Sequence, residues 1–184
     1  MVVLFVFGFI GLLLLMAFII IHYDETHFKL NNKNSVGFLV EREKIYNEKL
    51  YFPNKKYKKK SNEQLIEYIL SPFECTRDIY VLTSDNKNLL FTVKITYQYY
   101  IGQLINLAKN FGIYPNDHKN YIFEKFADII RDTALKYSKA DFFNSNTCIK
   151  IGEESLQKLR KTLEKEEFHI CIIGLKLRPT FFYE

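Results

Sequence analysis

The sequence predicts an α+β domain, a small mixed or antiparallel sheet packed by helices, preceded by one N-terminal transmembrane helix. Three observations predict this architecture: an uncharged apolar run at residues 2–21, alternating strand patterns at 74–83 and 89–100, and helical periodicity after residue 101. A period of two places one face of a strand toward a core, whereas a period of 3.6 gives a helix with one apolar stripe. The 184 residues suffice for one such domain and one membrane segment.

The composition excludes several classes of protein. Hydrophobic residues make up 48% of the chain, with 17 Phe and 13 Tyr, so a packed core can offset the ordering entropy, and collagen-like, mucin-like and disordered chains are excluded. The three cysteines, Cys75, Cys148 and Cys171, lie far apart and form no C-x-x-C spacing. Neither a disulfide scaffold nor a zinc knuckle is therefore expected.

The apolar run at residues 2–21 has the length of a membrane span. Twenty residues at a rise of about 1.5 Å cover the hydrocarbon layer of roughly 30 Å, whereas a signal-peptide core needs only about 7 to 15 apolar residues. No basic residue precedes the run, and no small-x-small cleavage site follows it. We therefore expect an uncleaved, single-pass anchor, followed by a juxtamembrane linker at residues 22–32.

The positive-inside rule gives the orientation of this anchor. No Lys or Arg precedes the span, whereas Lys29 and Lys33 follow it closely. Cytoplasmic flanks carry the excess of Lys and Arg. The rule thus predicts that the domain after the anchor lies on the cytoplasmic side.

A first strand is predicted from residue 35 to 41, and a second at 45–52, before the turn Pro53-Asn54. A basic run follows, and the pattern predicts a solvated loop for it. The five positive charges of its lysines equal the formal net charge of the whole chain, +5. These lysines are Lys55, Lys56, Lys58, Lys59 and Lys60. Two interpretations remain open, a soluble loop tip or contact with anionic lipid headgroups. Nucleic acid is not an expected partner, because the cluster is short and no basic stripe accompanies it.

The second half of the chain predicts a hairpin, three helices and a last strand. Strands at 74–83 and 89–100 are joined by the turn sequence SDNKN, and the odd-numbered residues 89–99 form the apolar face. The first helix is expected at 101–110. The second is expected to begin after Asn116-Asp117 and to end at about residue 137. The third is expected at 145–167. The apolar seam of the third helix is predicted to consist of Ile149, Leu156, Leu159 and Leu163. The last strand is expected at 168–177.

The residues predict no catalytic, cofactor-binding or metal site. The usual nucleotide, hydrolase and metalloprotease motifs are missing. Two S-x-x-K matches, beginning at Ser84 and Ser155, are interpreted as chance, the second on a charged helix face. The four histidines show no ligand spacing, and Asp128 and Asp132 beside Arg131 fit a solvated, ion-paired helix face better than an acid and base pair.

The order of these elements resembles the SPFH domain, also called the Band 7 or prohibitin domain. The resemblance covers residues 33–179 and leaves 180–184 as a tail. Its best match is the segment VLTSD at 81–85 with the strand that follows, and the next best are IRD at 130–132 and ADFF at 140–143. The sequence departs from the family where Pro53 is followed by Asn54 rather than Gly, and family members usually continue into a long coiled coil.

This resemblance implies a non-enzymatic, membrane-anchored scaffold that self-associates laterally and organises membrane proteins or lipid patches. Its expected partners are membrane lipids and further copies of the chain or an SPFH paralogue. A membrane protease or channel is a further expected partner. The alternative hypothesis is a regulatory subunit that binds a single membrane protease or channel. No catalytic residue and no cofactor is implied.

Overall fold

The computed structural model describes residues 13, 14, 16, 25–45 and 47–180. The chain divides into two compact units, residues 1–68 and 69–184. The range predicted as one domain, 33–179, therefore takes in residues of both units. Over the described residues the α+β class is confirmed: strands form small sheets in both units, and the helices after residue 100 lie in the second unit.

The first unit contains two short sheets. β1 (Glu25–Phe28) pairs antiparallel with β4 (Tyr57–Lys60). In the other sheet β2 (Ser35–Glu41) lies between β3 (Lys44–Ile45) and β5 (Glu63–Ile69). The turn between β2 and β3 has positive φ at both central residues, 48° at Arg42 and 63° at Glu43, as a tight hairpin with the right-handed strand twist requires.

One buried cluster of the first unit combines aromatic and leucine side chains. Leu30, Leu39 and Tyr51 form its buried centre, and the half-buried Phe28, Tyr57 and Leu65 pack against them. Gly37 sits where only glycine fits, because a Cβ atom there would lie 2.9 Å from the Ile66 carbonyl oxygen and from two leucine methyl groups. The close approach of β2 to β5 thus depends on the absence of a side chain at this position.

The second unit is built on an antiparallel sheet in the order β6-β7-β8. These strands are Phe73–Leu82, Asn88–Tyr99 and Ile170–Thr180. The predicted hairpin is confirmed, and all the odd-numbered residues from 89 to 99 are buried, as the alternation predicted. β8 is an edge strand, and Arg160 donates two hydrogen bonds, of 3.2 and 2.7 Å, to the carbonyl oxygen of Ile172 in it.

Three α-helices lie between β7 and β8 in the chain. They are α1 (Leu104–Phe111), α2 (Pro115–Ala134) and α3 (Ser145–Lys165), with single 3-10 turns before α1 and before α3. α1 ends at Gly112, whose φ is 104°. α2 packs on β6, and α3 packs on β8 and on α2. The long helix, predicted to begin after Asn116-Asp117, instead has Pro115 as its first residue, where a missing N–H costs no hydrogen bond.

Four details of the first unit differ from the sequence-based expectation. Residues 25–28, within the predicted linker, form β1. Residues 57–60, predicted as part of a loop, form β4. The expected strand at 45–52 is reduced to β3 and a single bridge between Gly37 and Tyr51. No strand was predicted for Glu63–Ile69, which form β5. Each of these strands depends on pairing with a distant segment, which local alternation over a few residues does not reveal.

The buried face of α3 also differs from the predicted seam. Its fully buried residues are Ile151, Ser155, Leu159 and Leu163. Ile149 is 60% exposed, so its assignment to the seam was wrong. At about 100° per residue, Ile149 and Leu156 lie about 60 to 80° around the helix from Leu159, on one flank of the core line. The apolar surface of α3 therefore extends past the core onto that flank.

Among the described residues no helix combines the length and the apolar composition needed to cross a membrane. The predicted anchor at residues 2–21 falls almost entirely outside those residues. Only Leu13, Leu14 and Met16 of that range are described, and all three are helical and exposed.

Candidate interaction surfaces

Among the residues that the structure describes, the side chains considered for catalysis do not converge on a site. No group of three or more His, Cys, Asp or Glu side chains that could hold a metal occurs in the described part of the chain. Arg131 forms an exposed ion pair of 3.3 Å with Asp128, the solvated helix face that the spacing predicted. Asp85 accepts hydrogen bonds from the Thr83 hydroxyl and from the backbone N–H of Lys139. These bonds lower the pKa of Asp85 and lock the hairpin turn.

The second S-x-x-K match is a buried packing feature rather than part of a charged face. Ser155 is fully buried, and its hydroxyl has no hydrogen-bond partner. Lys158 points its ammonium group to Glu154, at 2.8 Å, and to the Thr133 hydroxyl, at 3.4 Å. The placement of Ser155 on a charged face was therefore wrong, because a small side chain fits where α3 meets its neighbours. A nucleophile with no base beside it and no access for substrate cannot act.

The predicted lysine cluster is divided between a turn and a strand. Lys55 and Lys56 are exposed in the turn after Pro53, while Lys58, Lys59 and Lys60 belong to β4. Strand alternation separates the last three: Lys58 and Lys60 are exposed, whereas Lys59 is half-buried and donates a hydrogen bond of 2.7 Å to the Glu63 carbonyl oxygen. The expected solvated loop is thus correct only for its first part.

Tyr57 fixes this basic segment to the core of the first unit. Its ring lies 4.8 Å from that of Tyr51 and 5.5 Å from that of Phe28. Its hydroxyl donates a hydrogen bond to the carbonyl oxygen of Phe52 and accepts one from the Phe52 N–H, which closes the turn. The exposed lysines are therefore presented by a braced turn and strand, with Asn54 at its apex in a left-handed conformation, φ 73°.

The pairing of β4 with β1 adds a residue to the basic surface. Lys58 lies directly opposite His27, and paired residues of antiparallel strands project from the same face. Both are exposed. Sequence reasoning missed His27, because the two residues are thirty-one positions apart and only the strand register joins them. We call Lys55, Lys56, Lys58, Lys60 and His27 the basic edge.

A second surface, in the other unit, is an apolar groove between α3 and the end of β8. Its volume is about 620 Å³, and we call it the α3–β8 groove. α3 approaches β8 closely here, since a Cβ atom on Gly152 would be 3.6 Å from a methyl group of Leu177. Its apolar walls are Phe142, Ile149, Leu156, Leu175, Leu177 and Pro179.

The rim of this groove combines exposed apolar and charged side chains. Phe143 and Ile149 are 65% and 60% exposed. Lys176 and Arg178 supply two positive charges, against one carboxylate from Glu153. Cys148 also lines the groove, but its thiol donates to the Phe142 carbonyl oxygen at 3.1 Å, and burial raises its pKa, so it is a packing thiol rather than a nucleophile.

The sequence contained one signal for this groove. The apolar residues of α3 form a stripe wider than a single seam, and the excess, Ile149 and Leu156, faces the groove. The contribution of the 3-10 turn at Phe142 and Phe143 depends on tertiary placement, which no local pattern shows. The comparisons with protein-family models and with curated proteins give no match.

Proposed function

We propose that this chain is a non-catalytic, single-pass membrane scaffold of SPFH type, with its folded part on the cytoplasmic side. It self-associates laterally and organises membrane proteins or lipid patches, and the basic edge contacts anionic headgroups. The observation that carries the proposal is the antiparallel pairing of β4 with β1. It joins the exposed lysines to the strand that begins four residues after the apolar run.

Chain length brings the basic edge close to the bilayer. From the end of the apolar run at residue 21 to His27 there are six residue steps, which span at most about 20 Å when fully extended. Lys58 lies opposite His27, so its distance from the end of the run is limited by the same tether. Each Lys near an anionic surface contributes on the order of 1 kcal/mol to membrane attraction. Four exposed lysines on one braced segment are therefore enough to orient a tethered domain.

Tethering also supports lateral association. Confinement to one membrane raises the effective concentration of the chains, so weak contacts between copies suffice for assembly. The apolar run at residues 2–21 supports the anchor, and the order of hairpin, helices and last strand supports the SPFH assignment.

Lysine accessibility in a reconstituted bilayer tests the lipid contact. The full chain is placed in nanodiscs of anionic or neutral lipid and treated with an amine-reactive reagent, and each lysine is quantified by mass spectrometry. We expect Lys55, Lys56, Lys58 and Lys60 to be protected in the anionic discs alone. High salt should remove the protection, because the Debye length falls from about 10 Å at 0.1 M to about 3 Å at 1 M. Lys109 and Lys136, exposed in the second unit, serve as internal controls.

Equal labelling of these four lysines in both lipids would reject the headgroup contact. Crosslinking of the same chain in native membranes tests the scaffold itself. Large homo-oligomers are expected, whereas a discrete one-to-one heteromer would replace the scaffold with the alternative function, a regulatory subunit of one membrane protease or channel.

A further inference from the structure

We propose that the α3–β8 groove binds the outer strand β6 of a second copy of this chain, so that copies join head to tail. The inference rests on the lateral self-association in the proposed function and assigns its contact surface. Both surfaces lie in the second unit, where β6 and β8 are the two outer strands of one sheet. A contact between two different surfaces of the same chain repeats with each added copy, and it builds a row or a ring.

The groove lies along the outer edge of β8. Five consecutive residues of this strand, 175–179, line it. Because successive side chains of a strand point to opposite faces, a cavity lined by all five lies beside the strand rather than on one face of the sheet. The inner edge of β8 is paired with β7. The groove is therefore at the edge that faces away from β7, where a second molecule can reach it.

β6 carries an exposed surface of the size and polarity that this groove accepts. Its even-numbered residues from 74 to 82 are all exposed, and we call Asp78, Tyr80 and Leu82 the β6 ridge. Tyr80 is 66% exposed and Leu82 is 41% exposed. An aromatic side chain buries about 150 to 250 Å². The groove, at about 620 Å³, has room for the Tyr80 ring against its apolar walls.

The charges of the two surfaces are complementary. Lys176 and Arg178 give the rim of the groove its positive charge, and both are exposed. The β6 ridge supplies the carboxylate of Asp78, which accepts a hydrogen bond of 2.8 Å from the Thr92 hydroxyl. Within the described part of the chain no ion pair holds this carboxylate. Its remaining lone pairs are free to accept from a guanidinium or ammonium group of a second copy.

Strand register places the β6 ridge and the groove at the same level of the sheet. Asp78 pairs with Thr92, which pairs in turn with Arg178, so the three residues form one row across three strands. Joining β6 of one copy to β8 of the next thus brings Asp78 beside Arg178 without displacement along the strands. A displacement at each contact would build a helix of copies. Its absence favours a flat row or ring, which suits chains anchored in one membrane.

The contact is small and therefore depends on confinement. A few side chains from each copy cover less than the 1,200 to 2,000 Å² or so that stable protein complexes bury. Confinement to a membrane raises the effective concentration of the copies and compensates for the weak contact. The test accordingly uses the full chain reconstituted in vesicles.

Photo-crosslinking from position 80 identifies the surface that the β6 ridge contacts. The full chain carrying Tyr80→p-benzoylphenylalanine is mixed with an equal amount of heavy-nitrogen-labelled chain that lacks the crosslinker, and the mixture is reconstituted and illuminated. Mass spectrometry should find position 80 joined to groove residues of the labelled chain. The same replacement at Tyr100 is the matched control. Tyr100 is 52% exposed and does not line the groove, so no crosslink to the groove is expected from it.

An exchange of charges tests whether Asp78 and Arg178 meet between copies. Asp78→Arg alone and Arg178→Asp alone should each lower the yield of the position 80 crosslink several-fold, because like charges then face each other. A mixture of the two variants should restore the yield, because each ridge then finds a groove of opposite charge on a chain of the other kind. Misfolding of either variant would not produce this restoration.

Two results would overturn the inference and leave the proposed function standing. One is crosslinking of position 80 to a surface of the second copy other than the groove, and the other is a mixture of variants that stays as low as each variant alone. In both cases an amine-reactive crosslinker would still report homo-oligomers. If that reagent finds only single chains, self-association itself is refuted, and the inference falls together with the proposed scaffold.

Discussion

At the scale of single residues, His118 is a neutral histidine built into the core of the second unit. It is fully buried, and its Nε2 donates a hydrogen bond of 2.7 Å to the Gly112 carbonyl oxygen. Burial lowers the pKa of His118 below its ordinary value of 6.5, against the opposing effects of that hydrogen bond and of Asp117. The folded protein therefore binds a proton at this site less readily than the unfolded chain does.

The difference between the pKa of His118 in the folded protein and in the unfolded chain predicts how stability depends on pH. Between pH 6.5 and the lower pKa of the folded state, the unfolded chain binds more protons, so the free energy of unfolding falls as the pH falls through that window. Urea unfolding at a series of pH values should show this decline in the parent and not in His118→Gln. His169→Gln, at an exposed position, should retain it. A decline of equal size in both variants would assign the proton uptake to other groups.

At the scale of elements, the buried apolar face of α2 contributes to the free energy of unfolding, whereas exposed apolar residues near the helix contribute little. Ile130 is fully buried on the face of α2, whereas Leu135, just past the end of the helix, is 51% exposed. Ile130→Ala should lower the free energy of unfolding by about 2 to 5 kcal/mol, because it removes buried methyl groups and leaves a cavity. Leu135→Ala should change it by no more than about 0.5 kcal/mol. Similar losses in chemical denaturation of both variants would contradict the assigned helix face.

The elements that sequence reasoning located are those whose pattern repeats over many residues. β7 alternates for twelve residues, and the stripe of α2 recurs over five turns, so both were predicted with nearly correct limits. β1 and β4 have four residues each, too few to show a period, and they exist because they pair with one another. The same limit hid part of each candidate surface: His27 joins the basic edge only through strand register, and Phe142 joins the groove only through packing.

At the scale of the whole molecule, the proposed function depends on the anchor. Leu13 lies near the centre of the apolar run, so Leu13→Arg should cost about 2.5 to 3.5 kcal/mol on insertion scales. This change should move protein out of the membrane fraction after carbonate extraction, while Leu13→Ile should remain there. Release of the unaltered chain by carbonate would refute the transmembrane assignment.

The two hydrogen bonds from Arg160 to the Ile172 carbonyl oxygen also bear on how the protein behaves when copies of it are crowded together. An edge strand of eleven residues is a template on which other chains can add strands, the first step of amyloid-like aggregation. Arg160 occupies an acceptor that an incoming strand would need, and it places a cation at that edge. The fold thereby protects part of β8 against uncontrolled sheet growth, a hazard that increases with local protein density and that the proposed lateral assembly would raise.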